Sequence, residues 1–369
     1  MKTIVVAGHV CIDITPVFPS GEKETPLSEL LAPGRLLHME GADVHPGGAV
    51  SNTGLALKLL GRDVRLLGKT GDDAFGAILR RMFEEYGAGG LITDRNSKTS
   101  NTIVLAAPGT DRIFLFTSGA NDTFVSADVP DTAFEDAVLF HFGYPPLMRK
   151  MYEDQGRELE ELFRRAGKHG LATSLDFAEI DPYAETARVD WETILRRVLP
   201  HVDFFLPSFE ELCFMLDRER YLRLAEKGGD MTEGLDLQAE AAPLAERLIR
   251  MGCRVVMVKC GTSGVLYRTC GREQLRSVGQ RLPLNPDVWA DRQGIQPAFM
   301  ADRVLSGAGA GDTSIAAFLS AVLDGKSPAE CAALAAAEGA CCVTEYDTLS
   351  GLKPLAELEE RIRAGWRTI

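Results

Sequence analysis

No stretch of this 369-residue sequence approaches 18 consecutive apolar residues, so nothing in it reads as a membrane-spanning helix. No basic run stands out. The 40 lysines and arginines are interspersed among 53 acids, and the net charge of −13 argues against a nucleic-acid partner. None of the eight cysteines forms a C-x-x-C pair. The six histidines show no H-E-x-x-H and no zinc-like spacing, which argues against a structural zinc site. Most cysteines sit in apolar stretches, where a free thiol packs as a small hydrophobe, so a reduced, cytoplasmic protein is expected. The sequence opens without a cationic leader and apolar stretch, so no signal peptide is expected. Three site signatures are missing as well. The absence of G-x-x-x-x-G-K-[ST] counts against a P-loop, and the absence of G-x-G-x-x-G after the first strand against a dinucleotide site. The absence of G-x-S-x-G counts against an α/β-hydrolase.

What is present suits one large α/β domain spanning residues 1–369: 45% of the residues are hydrophobic, ample for a sizeable core. Residues 3–7 form a continuous β-branched run, expected as a strand buried on both faces. A second strand is expected at 63–68, followed by a helix over 77–86. Further on, strands at 138–142, 171–175, 202–206, 254–258 and 265–267 alternate with helices at 151–169, 191–198, 210–216 and 241–251. Helices over 329–340 and 355–362 close the chain. Such alternation predicts a mostly parallel, doubly wound sheet with helices on both faces. Pro16, Pro19, Pro26 and Pro33 rule out a long helix over 15–46, leaving extended pieces near 14–18 and 35–44. Two more, 102–107 and 112–116, are joined by Pro108-Gly109-Thr110-Asp111, a hairpin signal. Together these segments, about 14–46 and 100–118, are expected to form a small β lid. Residues 218–236 are highly charged and read as a surface excursion, while 270–302 read as a long irregular segment.

The strongest chemical signal is Ser306-Gly307-Ala308-Gly309-Ala310-Gly311-Asp312-Thr313, leading into an apolar helical pattern. A glycine turn that opens a helix aims unpaired N–H groups at one point, and the helix dipole adds positive charge there. Such a place suits a phosphate, and Asp312 beside it is a candidate general base. The plain alternative is a glycine turn with a helix-capping acid. A second glycine turn, Gly47-Gly48, opens another helix, with Asn52 able to donate to and accept from hydroxyls. Asp13 lies just past the first strand, beyond whose carboxyl end ligands bind in such sheets. Asn121, in the turn Gly119-Ala120-Asn121-Asp122, is a further candidate to face the site.

In this order and at these spacings the motifs resemble the ribokinase-like (PfkB) carbohydrate kinase family, over nearly the whole length. The two signatures that carry the resemblance are Gly47-Gly48-Ala49-Val50-Ser51-Asn52 and Gly309-Ala310-Gly311-Asp312-Thr313. The resemblance implies a central sheet flanked by helices, a β lid often shared in a homodimer, and Mg²⁺·ATP-dependent phosphorylation of a sugar or nucleoside hydroxyl. It makes Asp312 the catalytic base and the amides of Gly309, Ala310 and Gly311 the anion hole. It assigns sugar hydroxyls to Asp13, Gly47, Gly48 and Asn52. The turn Lys259-Cys260-Gly261-Thr262-Ser263-Gly264 would lie along the nucleotide, with Lys259, Gly261, Thr262 and Gly264 as its contacts. Glu211 matches the glutamate of the family's Asn-x-x-Glu, which helps to organise magnesium through water. Ser208 replaces the asparagine of that motif, and its hydroxyl can bond a water of the magnesium shell. Ser306-Gly307 stands where the family often has Asp-Thr, part of a potassium site, which counts against K⁺ activation. The usual Asp-Pro-Asn-x-Arg is also missing after Asp176. The first expectation is a sugar kinase. The alternatives are a nucleoside kinase of the same fold and a non-catalytic sugar-binding or regulatory protein.

Overall fold

The strands of the computed structural model are, in chain order, β1 (Thr3–Gly8), β2 (Cys11–Val17), β3 (Gly41–Gly47), β4 (Asp63–Gly71), β5 (Leu91–Asp94), β6 (Asn101–Leu105), β7 (Ile113–Thr117), β8 (Ala137–Gly143), β9 (Ala172–Asp176), β10 (Phe204–Phe205), β11 (Val255–Lys259), β12 (Val265–Thr269) and β13 (Gln293–Gln296). The longer helices are α1 (Ala49–Leu59), α2 (Ala74–Glu85), α3 (Arg157–Lys168), α4 (Trp191–Val198), α5 (Phe209–Leu216), α6 (Arg218–Ala225), α7 (Ala242–Arg250), α8 (Ala310–Leu323), α9 (Pro328–Cys342) and α10 (Leu355–Arg363). The structure describes residues 2–19, 29, 31–107 and 113–369. The expected turn Pro108-Gly109-Thr110-Asp111, and Pro26 with the 20–28 part of the expected lid, lie outside the described residues.

Every residue of β1 is buried, as its unbroken apolar run requires. Its pleat sends Ile4 and Val6 to one face and Val5 and Ala7 to the other, into two separate cores. One core receives the apolar sides of α3, α4, α5 and α7; the other receives α1, α2, α8 and α9. The large sheet runs β13-β12-β11-β10-β9-β8-β1-β4-β5. Every pairing from β11 across to β5 is parallel, and only β12 and β13 run antiparallel to their neighbours. The doubly wound expectation therefore holds, with an antiparallel edge. A separate sheet, β3-β2-β6-β7, is the small sheet expected from the two separated segments.

Five local expectations are corrected. The helix expected over 151–169 is split, because Asp154 (φ 49°) and Gln155 (φ 55°) are left-handed and no helix of L-residues runs through them. The strand expected at 202–206 forms a ladder only at Phe204–Phe205. The strand expected at 35–44 starts later, at Gly41. The charged segment 218–236 is not all surface excursion: α6 buries Tyr221 edge-on against Phe214, ring centroids 5.0 Å apart. Within 270–302, Trp289 is buried and β13 adds a strand to β12, so that segment extends the sheet.

α8 is buried at every position from Asp312 to Leu323, a helix apolar nearly all round, enclosed between α1 and α9. Inside α9, Glu338 is 0% exposed; its Oε1 accepts the Lys353 N–H at 2.9 Å and its Oε2 has no partner among the described residues. Burial pushes its carboxyl up from 4.5 to about 8. Folding therefore favours the protonated form. This burden is absent below the unfolded pKa and grows as pH rises through the window from 4.5 to about 8. Glu338→Gln is expected to be more stable than the parent at pH 8, on the order of 2 kcal/mol, and little changed at pH 4.5. Urea midpoints at the two pH values read this out, and an equal difference at both would contradict it.

Candidate active site

The carboxyl ends of β8, β9 and β11 meet at the start of α8 through Tyr144, Asp176 and Lys259. Gly309 takes a left-handed conformation (φ 75°, ψ −4°) as the cap residue. A Cβ there would come within 2.2 Å of Thr348, so glycine is required twice over. The amides that open a helix lack a full set of carbonyls one turn back, although here the Ala310 N–H donates to Gly307 O at a long 3.4 Å, and the turn carries the positive end of the helix dipole. Asp312 lies in that turn. The predicted anion cradle and the predicted base therefore share one turn of one helix.

Asp312 is only 4% exposed, yet both of its oxygens are bonded. Thr53 donates its hydroxyl to Oδ1 at 2.9 Å. Asn52 Nδ2 donates to Oδ2 at 3.2 Å, and the Tyr144 hydroxyl donates to the same oxygen at 2.6 Å. Burial raises the carboxyl above the ordinary aspartate value, while Tyr144, Lys259, Thr53 and Asn52 pull the other way.

Asn52 and Thr53 reach Asp312 because α1 starts where it does. Gly48 caps α1 with φ 83°, and a Cβ there would come within 2.5 Å of His9 Nδ1. Gly47, the last residue of β3, lies against Asp13 on β2: a Cβ at 47 would come within 2.1 Å of Asp13 Oδ2. Asp13 Oδ1 accepts the Cys11 thiol at 3.3 Å, and burial raises the Asp13 carboxyl. Asp13, Gly47, Gly48, Asn52 and Asp312 therefore form one contiguous arrangement, reached through the lid strands and α1.

Lys259, at the end of β11, donates to Asp176 Oδ1 at 2.7 Å. Asp176 ends β9, and Glu211 on α5 and Asp312 also act on the Lys259 charge. Burial opposes that charge, but the surrounding carboxylates outweigh it and raise the ammonium above the ordinary lysine value. Burial raises Asp176, with Lys259 pulling it back. One cation thus faces three carboxylates. Its ammonium, at the end of the strand that leads into the 259–264 turn, bonds Asp176. A backbone position in Gly311 still lies close: a Cβ there would be 3.5 Å from Lys259 Nζ.

Ser208 caps α5. Its hydroxyl accepts the Glu211 N–H at 3.2 Å, and Glu211 Oε2 accepts the Ser208 N–H at 2.8 Å. Burial also raises the Glu211 carboxyl. Gly261 and Gly264 have packing reasons of their own. Added Cβ atoms would come within 2.3 Å of Thr232 Oγ1 and 2.2 Å of Gln296 O, respectively. Thr262 lies exposed on the same turn, its hydroxyl 3.3 Å from Asp230 Oδ2. Asn121 does not face the site. It is 0% exposed, and its amide is used on Val10, with Val10 N donating to Oδ1 at 3.2 Å and Nδ2 donating to Val10 O at 2.9 Å. It fixes the approach to β2, as a buried amide must when its groups are to be satisfied. Among the described residues, no cluster of three or more His, Cys, Asp or Glu side chains has the geometry to hold a metal ion. The carboxylates here surround a lysine instead.

Thr53, Tyr144 and Asp176 were not singled out by sequence motif as site residues. Thr53 follows Asn52 directly, and Asp176 ends a strand, the position where open α/β sheets bind ligands. Tyr144 carries no such signal. All eight cysteines are buried and free. Among the described residues, no helix is long and apolar enough to cross a membrane.

Residues 1–354 match the pfkB family of carbohydrate kinases. An uncharacterized sugar kinase from Archaeoglobus fulgidus is 26% identical over 306 residues, covering 81% of this chain and 98% of that protein. Fructokinase-1 from Zea mays is 24% identical over 332 residues, 86% of this chain and 88% of its own length. Among solved structures, a fructokinase from Xylella fastidiosa with bound ATP superposes with a TM-score of 0.71 at 21% identity, covering 98% of each chain.

Proposed function

The chain belongs to the pfkB family of carbohydrate kinases, and from that premise we propose that it transfers the γ-phosphoryl group of ATP to a hydroxyl of a small sugar. The observation that carries this is the Asp312 carboxylate, seated in the first turn of α8 and held there by Thr53, Asn52 and Tyr144. Asp312 takes the proton of the acceptor alcohol. The amides of Gly309, Ala310 and Gly311 hold the charge that develops on the transferring group. Asp13, Gly47, Gly48 and Asn52 orient the acceptor, and the turn from Lys259 through Gly261, Thr262 and Gly264 borders the nucleotide. Mg²⁺, when bound with ATP, neutralises the phosphate charge. Glu211 and Ser208 would act on it through water. An indirect role suits the donor set, since Lys259 already pairs with Asp176. Free buried thiols fit a reducing, cytoplasmic setting. A homodimer through the lid is part of the same reading, supported by Leu115 and Phe116, large apolar residues exposed on β7.

A nucleoside acceptor is the second reading. It is favoured by one observation: Phe116, His9 and Tyr144 form an aromatic group beside Gly48, with ring centroids 5.6 Å and 6.1 Å from His9. A coupled ADP-release screen over ketoses, aldoses, keto-acids and nucleosides separates the readings. Acceptor-dependent ADP release with a ketose or aldose is the expected result. Release only with a nucleoside selects the second reading, and none with any acceptor leaves a binding protein. Gly47→Ala is expected to raise the acceptor KM at least roughly tenfold, the loss of about one hydrogen bond to a charged group, because its Cβ displaces Asp13. An unchanged KM would remove Asp13 from acceptor binding.

A further inference from the structure

The Asp312 carboxylate accepts unequally at its two oxygens. Oδ2 accepts from both Asn52 and Tyr144, whereas Oδ1 accepts, among the described residues, only from Thr53. Each carboxylate oxygen offers about two acceptor sites, so Oδ2 is filled and Oδ1 keeps one free. We propose, on the reading of Asp312 as the general base, that Tyr144 is a positioning residue: it holds Oδ2 so that Oδ1 is the oxygen that takes the acceptor's proton.

The backbone around Tyr144 is built for this. Tyr144 follows Gly143 at the end of β8 and is left-handed, φ 67° and ψ 43°, a conformation a bulky residue keeps only where its surroundings enforce it. Its N–H donates to Asp176 O at 3.3 Å and its carbonyl accepts the Leu147 N–H at 3.1 Å, so the peptide is fixed on both sides. Gly143 cannot be larger, since a Cβ there would come within 2.2 Å of Ala49 on α1. The phenol therefore approaches Asp312 from the β8 side, while Asn52 and Thr53 approach from α1. Two independent elements clamp one carboxylate. Burial and the nearby Asp312 and Asp176 hold the phenol well above the ordinary tyrosine value, so it remains a donor. The titratable groups facing Asp312 from the other packed elements are Lys259 on β11, Asp176 on β9, Glu211 on α5 and Cys342 on α9.

Tyr144→Phe keeps the ring and removes one donor to the ionised form. That change raises the Asp312 pKa and frees the carboxylate to turn. On the acid limb of the kcat profile the expected result is a turnover about tenfold lower, with KM for ATP and sugar within about twofold of the parent. The acid limb of the kcat profile is expected to move up by about one pH unit, with turnover recovering toward the parent in alkaline buffer. Site-specific 3-fluorotyrosine at 144, a stronger donor of nearly the same shape, is expected to move the limb down. It serves as a second arm should the phenylalanine variant fold poorly by thermal melt. An unchanged kcat, an equal loss at every pH, or a raised sugar KM with kcat intact would each overturn the proposal. Asp312→Asn made alongside separates the two claims. If it stays active, the base reading fails; if it is inactive while the Tyr144 variants behave as the parent, only the positioning role fails.

Discussion

Asp312→Asn is expected to lower turnover by roughly 10²–10⁴-fold, the range typical of losing a general base, with the fold intact. The amide is nearly isosteric with the carboxylate. Its oxygen can still accept from Thr53 or Tyr144, and α8 is anchored by the eleven buried residues that follow Asp312 through Leu323. What it cannot do is take a proton from an alcohol. Removing a buried negative charge also relieves Asp176 and Glu211, whose carboxyls Asp312 pushes up, so thermal stability is expected to hold or rise. Steady-state kinetics with saturating ATP, together with a thermal melt, checks both halves. Turnover within about tenfold of the parent would remove Asp312 from the proton-transfer step.

Lys259→Met is expected to have the largest effect on stability, a loss of about 3–5 kcal/mol, the usual result of stripping one partner from a buried ion pair. Methionine replaces the stem but not the ammonium, leaving Asp176, Glu211 and Asp312 facing one another without a counter-charge. The sign of the pH dependence follows. Burial already raises the folded-state pKa of Asp176, and removing Lys259 raises it further. A carboxyl raised in the folded state is tolerated below its unfolded pKa of 3.8 and costs stability as pH rises above it. The deficit of the variant should therefore be small near pH 4 and grow as pH rises. Adding Asp176→Asn should recover part of it, because the pair is then removed together. Denaturant titrations of both variants at pH 5 and pH 8 test this. A deficit independent of pH, or a double variant no better than the single, would mean that Lys259 acts by packing alone.

The parts that could be read before folding were those with a local cause. The β1 run shows its double burial directly in Ile4, Val5 and Val6, and α4 was placed at its observed limits by the 3.6-residue spacing of Trp191, Ile194, Leu195 and Val198. The Gly48 and Gly309 turns were legible because their positive φ angles admit few other residues. Asn52 has a partner that its motif does not announce: it donates to Asp312 Oδ2 at 3.2 Å. The misses share a different cause. Tyr144 reaches Asp312 across 168 residues, and nothing local to Gly143-Tyr144-Pro145 announces that contact. Lys259 reads along the chain with the turn that follows it, whose glycines stand at 261 and 264, whereas its ammonium answers to Asp176 on another strand. Asn121 lies in a polar turn that suggests exposure, yet the turn folds inward and spends the amide on Val10, just ahead of β2. Pairings made by the sheet order cannot be inferred from spacing along one segment.

The Thr53 and Asn52 bonds to Asp312 span 259 and 260 residues. As the chain leaves the ribosome, the acceptor half of the site, from Asp13 to Asn52, is therefore made long before the residue it must serve. Loop closure over such a distance comes late and rewards nothing until it is complete. A nascent chain released before α8 has emerged would carry a finished lid and most of the large sheet, and no means of moving a phosphate.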